Sequence, residues 1–115
     1  LLKERRFFMP RIAFRMKVHA GQEAEYVRRH NPIWPELEAT LLAHGVSSYS
    51  IYLDRATGEL FAYAEVDDVA RWQAIAETHV CRQWWDYMAP LMPTHGDNRP
   101  LTGELEEVFH IGTRK

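Results

Sequence analysis

Hydrophobic and polar positions alternate strictly through RIAFRMKV, residues 11–18, with Ile12, Phe14, Met16 and Val18 on one side and Arg11, Arg15 and Lys17 on the other. A period of two sends successive side chains to opposite faces of a pleated strand, so this stretch predicts a strand with one buried face. From Gly21 to Arg29 the spacing turns helical. HNPIWP, residues 30–35, then interrupts it, because residues that precede proline avoid the helical region. A second helix is predicted from Pro35, which the first turn tolerates, to His44, with Gly45 as the stop. SSYSIYL, residues 47–53, predicts strand two with Tyr49, Ile51 and Leu53 on one face. LFAYAEV, residues 60–66, predicts strand three, and DRATGE between them closes a hairpin. Asp67 is the expected N-cap of a helix holding Trp72 and Ile75, and Thr78 that of a helix carrying CRQWWDYM. Beyond Pro90, PLMPTHGDNRPLTG is longer than most connections. ELEEVFHI, residues 104–111, alternates again and predicts strand four.

The order β-α-β-β-α-β predicts an α+β, ferredoxin-like fold, an antiparallel sheet with helices on one face. No repeat or second domain interrupts it. The opposite sheet face would carry Tyr52, Phe61, Tyr63 and Val108 beside Arg15, Lys17 and Glu65. Scattered apolar surface residues are ordinary, but a face left to water is expected to be more polar than this one. The band predicts a homodimer with its two sheets face to face, of the dimeric α/β-barrel type.

Composition adds bounds. The 115 residues make one domain, and 46% hydrophobic with 26% charged residues is plainly globular. A formal charge of -2 and a pI near 6.3 give no electrostatic reason to expect nucleic acid or an anionic membrane as partner. The single cysteine, Cys81, cannot close an internal disulfide, which suits a reducing cytoplasm. No apolar run approaches the ~18–20 residues of a membrane span. LLKERRFFMP starts without methionine and holds no signal-peptide core. Met9 is the expected natural start, with residues 1–8 outside the fold and residues 9–115 a single domain.

Two patterns carry candidate chemistry. Tyr26 and His30, four apart, share a helix face. Histidine can give and take a proton near neutrality, and a tyrosine hydroxyl can hold a substrate oxygen. Spacing alone favours the plainer alternative, a helix-end histidine that packs on Tyr26 and donates to a free carbonyl. Trp84 and Trp85 are the second pattern. Neighbouring helical side chains point about 100° apart, so one indole joins the stripe of Cys81, Met88 and Leu91, which favours Trp84, and Trp85 reaches its margin. There a flat ring suits the CH face of a sugar, although a broad core stripe explains the pair as well. The six histidines show no HExxH or Cys–His metal spacing, and no GxGxxG, P-loop or GxSxG sequence is present. Cys81 reads as a buried structural thiol, and Glu104, Glu106 and Glu107 as a solvated strand end.

At these residues the chain resembles the L-rhamnose mutarotases. AEYVRRHNPIWPELE here is similar, almost letter for letter, to that family's EEYxRRHNPIWPELE. YSIYLD, ARW, WWDYM, DNRP and ELEEVFH continue the likeness in order, from Met9 to Ile111. The resemblance implies a small cytoplasmic homodimer, free of cofactors, that interconverts the α and β anomers of L-rhamnose. It implies His30 as the acid, with Tyr26, Tyr49, Trp84 and Trp85 holding the sugar. THGDNRP departs from the family's proline-containing version of that loop. Two other classes share parts of the pattern: a dimeric ferredoxin-like oxygenase or haem-binding protein, and a non-catalytic sugar-binding module. Mutarotation needs a positioned acid/base and a pocket that retains the open sugar. On that reading Pro32 and Pro35 fix the helix end that carries His30, and Tyr49 meets it from the sheet.

Overall fold

The computed structural model describes residues 9–112. The expectations for residues 1–8 and for the last three residues of the predicted domain lie outside the described residues. The chain runs β1 (Arg11–Lys17), α1 (Glu23–Arg29), α2 (Pro35–Ala43), β2 (Val46–Asp54), β3 (Glu59–Val66), α3 (Val69–Ala74), α4 (His79–Met88) and β4 (Gly103–Leu105). Single 3-10 turns at Ile75–Glu77 and Ala89–Leu91 follow α3 and α4. The sheet order is β2-β3-β1-β4 with every pairing antiparallel, which is the predicted ferredoxin-like arrangement.

Register explains how the sheet and helices come to enclose a space. On the inner face the rows across β2, β3 and β1 are Leu53–Leu60–Met16, Ile51–Ala62–Phe14 and Tyr49–Ala64–Ile12. Leucine fills the middle of the first row, but alanine stands in the middle of the other two. Ala62 and Ala64 therefore form the floor of a trough whose sides are Ile51, Tyr49, Phe14 and Ile12. Against this face Met16, Leu60, Tyr26, Leu37, Trp84, Met88, Leu91 and Met92 make one core cluster. Val46, Ala64, Val66, Ile75 and Cys81 make a second, and Tyr49 and Trp85 pack against both. The core-facing strand pattern is as the alternation predicts.

Several local expectations are corrected. The first helix begins at Glu23 rather than Gly21, because Gly21 takes φ 88° and its N–H donates to Glu23 Oε1 at 3.0 Å. Asp68, not Asp67, caps α3, accepting from the N–H groups of Ala70 and Arg71. Asp67 instead pairs with Arg71 at 2.8 Å, while the same guanidinium donates to the Ala43 carbonyl at the end of α2. Asp67 also lies against Gly45, where a Cβ would stand 1.9 Å from Asp67 Oδ1. Gly45, at φ 90°, is the helix stop that the sequence predicts. Thr78 caps α4 as expected, accepting from Cys81 N–H.

The fourth strand is the larger correction. Only Gly103–Leu105 pairs with β1, opposite Arg15, Phe14 and Ala13, and residues 106–111 continue without strand pairing. Val108 therefore does not lie on the sheet; it is 86% exposed, with Phe109 and Ile111 nearly as bare. The rest of the outer face is as predicted. Tyr52 stands opposite Phe61 and Phe61 opposite Arg15, while Tyr63 donates to Glu65 at 2.8 Å. Glu107 is not simply solvated, since it makes a two-pronged pair with Arg11 at 2.9 and 2.8 Å.

Candidate active site

Helix α1 is short, and its C-terminal end is tied down from several sides. Arg29 donates to Glu25 at 2.6 Å and to the Tyr87 carbonyl on α4 at 2.5 Å, and its guanidinium lies 4.2 Å from the Tyr87 ring centre. Arg28 adds a second pair to Glu25, and the two arginines hold that carboxyl down at about 2. Asn31 Nδ2 donates back to the Val27 carbonyl at 2.8 Å, and the chain turns through Pro32 to start α2 at Pro35. Arg29 thus ties the helix end that carries His30 to α4.

His30 ends α1 with its ring over Tyr26, the ring centres 4.5 Å apart. Trp84 stands perpendicular to the imidazole with ring centres 5.1 Å apart, and Trp84 is held in turn by Trp34 at 5.0 Å and Tyr87 at 5.7 Å. His30 Nδ1 lies 2.9 Å from the Tyr26 carbonyl oxygen. A carbonyl can only accept, so Nδ1 carries the hydrogen and a neutral ring leaves its lone pair on Nε2. The helix-end contact expected of a histidine packed on Tyr26 is present, and it uses one ring nitrogen and leaves the other free. Burial lowers the His30 pKa below its ordinary 6.5, against a smaller upward pull from the Tyr26 carbonyl. At neutral pH the ring is uncharged.

His30, Tyr26, Tyr49, Trp84 and Trp85 all line one open cleft of about 1210 Å³ between the helices and the trough of the sheet. Every residue singled out for a sugar site is thus brought to one space. Tyr26 comes from α1, Tyr49 from β2 and the indoles from α4. Burial raises the Tyr26 hydroxyl pKa, with Tyr49 a smaller cause, and burial likewise raises that of Tyr49. Both phenols stay protonated as donors. No buried side-chain polar atom among the described residues lacks a partner, and no protein group there accepts from either phenol, so both oxygens are open to the cleft. Trp84 is buried and Trp85 half-buried, in line with the assignment of Trp84 to the core stripe, but Trp84 also touches His30 and so supports the site. Cys81 is buried and free, its thiol pushed up to about 11 by that burial, and reads as packing. No group of three or more histidine, cysteine or acidic residues that could hold a metal occurs among the described residues.

Two lining residues escape sequence reasoning. Trp72 on α3 meets Tyr49 edge-on at 5.5 Å and lies 6.2 Å from Phe14. Arg99, in the long loop after α4, lies over the Trp85 ring at 5.3 Å. Trp72 read only as a helix residue, and DNRP read only as part of a family pattern; neither local spacing points to a cleft.

The chain resembles proteins of one activity along nearly its whole length. The family model described as L-rhamnose mutarotase matches residues 11–111. An L-rhamnose mutarotase of Shigella flexneri is 53% identical over 103 residues, 90% of this chain and 99% of the relative. The crystal structure of an L-rhamnose mutarotase from Formosa agariphila superposes with a TM-score of 0.80 at 41% identity, covering 90% of this chain and 99% of the other. A dimeric ferredoxin-like protein from an uncultured marine organism matches at a TM-score of 0.56 and 14% identity over 97% of this chain and 100% of its own, which is a likeness of fold alone. With a matched family model over most of its length and relatives above half identity, the chain belongs to the L-rhamnose mutarotase family.

Proposed function

We propose that this protein interconverts the α and β anomers of L-rhamnopyranose with His30 as the acid/base, and Tyr26, Tyr49, Trp84 and Trp85 as the residues that hold the sugar. The observation that carries the assignment is the bond from His30 Nδ1 to the Tyr26 carbonyl, which leaves a free, basic Nε2 on a ring lining the cleft. The anomeric hydroxyl and the ring oxygen sit on the same carbon. One imidazole nitrogen can therefore take the proton from the anomeric oxygen and return it to the ring oxygen as their shared carbon opens to an aldehyde. The aldehyde turns about the bond to its neighbour, and the same two transfers in reverse close the ring on the other face. Protons balance over the cycle, and no redox step or cofactor enters.

The depressed pKa makes His30 act first as a base, accepting before it donates. Charge that develops on the departing ring oxygen is met by the imidazolium and by phenol hydroxyls already oriented in the fold. Half-buried Trp85 offers a ring face to the CH side of the sugar. Edge-on Trp84 keeps the imidazole from swinging and shields it from water. The open aldehyde stays enclosed between trough and helices long enough to reclose.

We further propose that the outer sheet face, with Tyr52, Phe61 and Tyr63, is covered by a second copy of the chain. The reduced, buried Cys81 suits a cytoplasmic enzyme of rhamnose metabolism. The activity is tested by NMR saturation transfer between the anomeric proton signals of L-rhamnose. Catalytic amounts of protein should carry saturation from one anomer to the other. Tight binding with no transfer would leave a sugar-binding module instead.

A further inference from the structure

The loop after α4 is held in shape by its own hydrogen bonds and by one to α4. Thr94 and Pro100 form an antiparallel bridge, and His95 N–H donates to the Arg99 carbonyl at 2.8 Å. Asn98 turns the chain at φ 71° and its side chain donates to Asp86 on α4 at 3.0 Å. Asp97 accepts from the Arg99 N–H at 3.1 Å. These ties hold the loop to itself and to α4, and none of them engages the guanidinium. Among the described residues the ion pairs use Arg11, Arg28, Arg29, Arg71 and Arg82, and Arg99 forms none. Its one contact of this kind is with the Trp85 ring at 5.3 Å, at the edge of the cleft that both residues line.

We propose that Arg99 is a further substrate-binding residue, which donates to the hydroxyls at C2–C4 of the sugar and anchors the end that does not react. The inference rests on the mutarotase reading of the cleft. A guanidinium beside an indole keeps its planar fork oriented while its N–H groups remain unspent. Adjacent sugar hydroxyls offer a matching pair of acceptors. Mutarotation gives such an anchor a purpose, since only the aldehyde carbon must turn while the rest of the open chain stays in place. The anchor acts alike on closed ring and open chain, so its loss weakens binding without slowing chemistry.

The test compares Arg99→Met and Arg99→Lys with wild type, using anomer exchange on L-rhamnose and on its 2-, 3- and 4-deoxy analogues. Arg99 is exposed, and unchanged circular dichroism would show that both variants fold. Arg99→Met should raise KM by about 10–100-fold, the worth of charged hydrogen bonds, with kcat within about twofold. Lysine, lacking the fork, should restore only part. At least one deoxy analogue should lose most of the Arg99→Met penalty, because it lacks the hydroxyl that Arg99 binds. An unchanged KM, or the same penalty on all four sugars, would overturn the assignment. Should wild type bind rhamnose without exchanging it, the mutarotase reading falls by itself. Calorimetric titration then decides for Arg99, whose methionine variant must still bind more weakly.

Discussion

Replacing each tryptophan of the WW pair separates stability from binding. Trp84 is 8% exposed and packs on His30, Trp34 and Tyr87. A tryptophan buries about 150–250 Å², which at about 25 cal/mol per Å² amounts to about 4–6 kcal/mol. Alanine keeps a little of this, and buried aromatic-to-alanine changes cost about 3–5 kcal/mol. A domain of this size is stable by only about 5–15 kcal/mol, so Trp84→Ala should leave a protein close to its threshold. Trp85 is half-buried, and its truncation should cost about half as much, roughly 1.5–3 kcal/mol. Urea unfolding followed by far-ultraviolet circular dichroism avoids reliance on the fluorophore being removed. The sugar readout should invert the ranking: Trp85→Ala raises KM for rhamnose while most of its stability remains. Equal losses of stability at both positions, with KM unchanged at Trp85, would refute the division between support and stacking face.

Four further outcomes follow from the geometry. Arg29→Met removes the ties to Glu25 and the Tyr87 carbonyl, so it should destabilise by about 1–3 kcal/mol in urea titrations and lower kcat by loosening the helix end that carries His30. The exchange rate should stay level as pH falls through 6.5 and drop only below it, because burial depresses the His30 pKa; Glu25 holds its charge down to about pH 2, so a loss in mild acid reports the imidazole and not the helix clamp. Stability should follow the same sign: it is full above 6.5 and declines as pH falls from there through the depressed value, since the unfolded chain takes the proton first. Tyr63→Glu, which sets a charge in the outer sheet face, should shift a dimer seen by light scattering at micromolar concentration toward monomer, and a wild-type monomer that is fully active would end the dimer proposal.

What the sequence made legible is what local periodicity can report. Alternation in residues 11–18 and 60–66 identified the buried rows correctly, because burial on one face is written into each strand by itself. The same alternation in residues 104–111 misled, since a strand also needs a partner. Here β4 pairs with β1 only opposite Ala13–Arg15, and the chain beyond Leu105 leaves the sheet. Two adjacent aspartates could each cap α3, and the choice depended on Arg71 and Gly45, whose closeness to Asp67 no local pattern contains. The Tyr26–His30 pair was visible as an i, i+4 spacing, although its role was not. Tyr49 entered through the family likeness and a strand face, and only the register of β2 on β3 places it beside the trough. Trp72 and Arg99 reach the cleft from segments far from α1 in sequence, so nothing in their neighbourhoods announced them.

The central claim is that one imidazole moves the proton between the two oxygens of the anomeric carbon, and His30→Asn tests it most directly. Asparagine keeps a planar polar group that can still bond the Tyr26 carbonyl, but it cannot exchange a proton near neutral pH. General acid–base catalysis by one side chain contributes about 10²–10⁴ in rate, so the barrier should rise by roughly 3–5 kcal/mol. The measurement is saturation transfer between rhamnose anomers at pH 7, with binding of the sugar followed on the same sample. The variant should fold and bind rhamnose, while its exchange above the spontaneous background nearly vanishes. Exchange close to the wild-type rate would show that His30 only closes the helix end, and the proton would have to travel by another group.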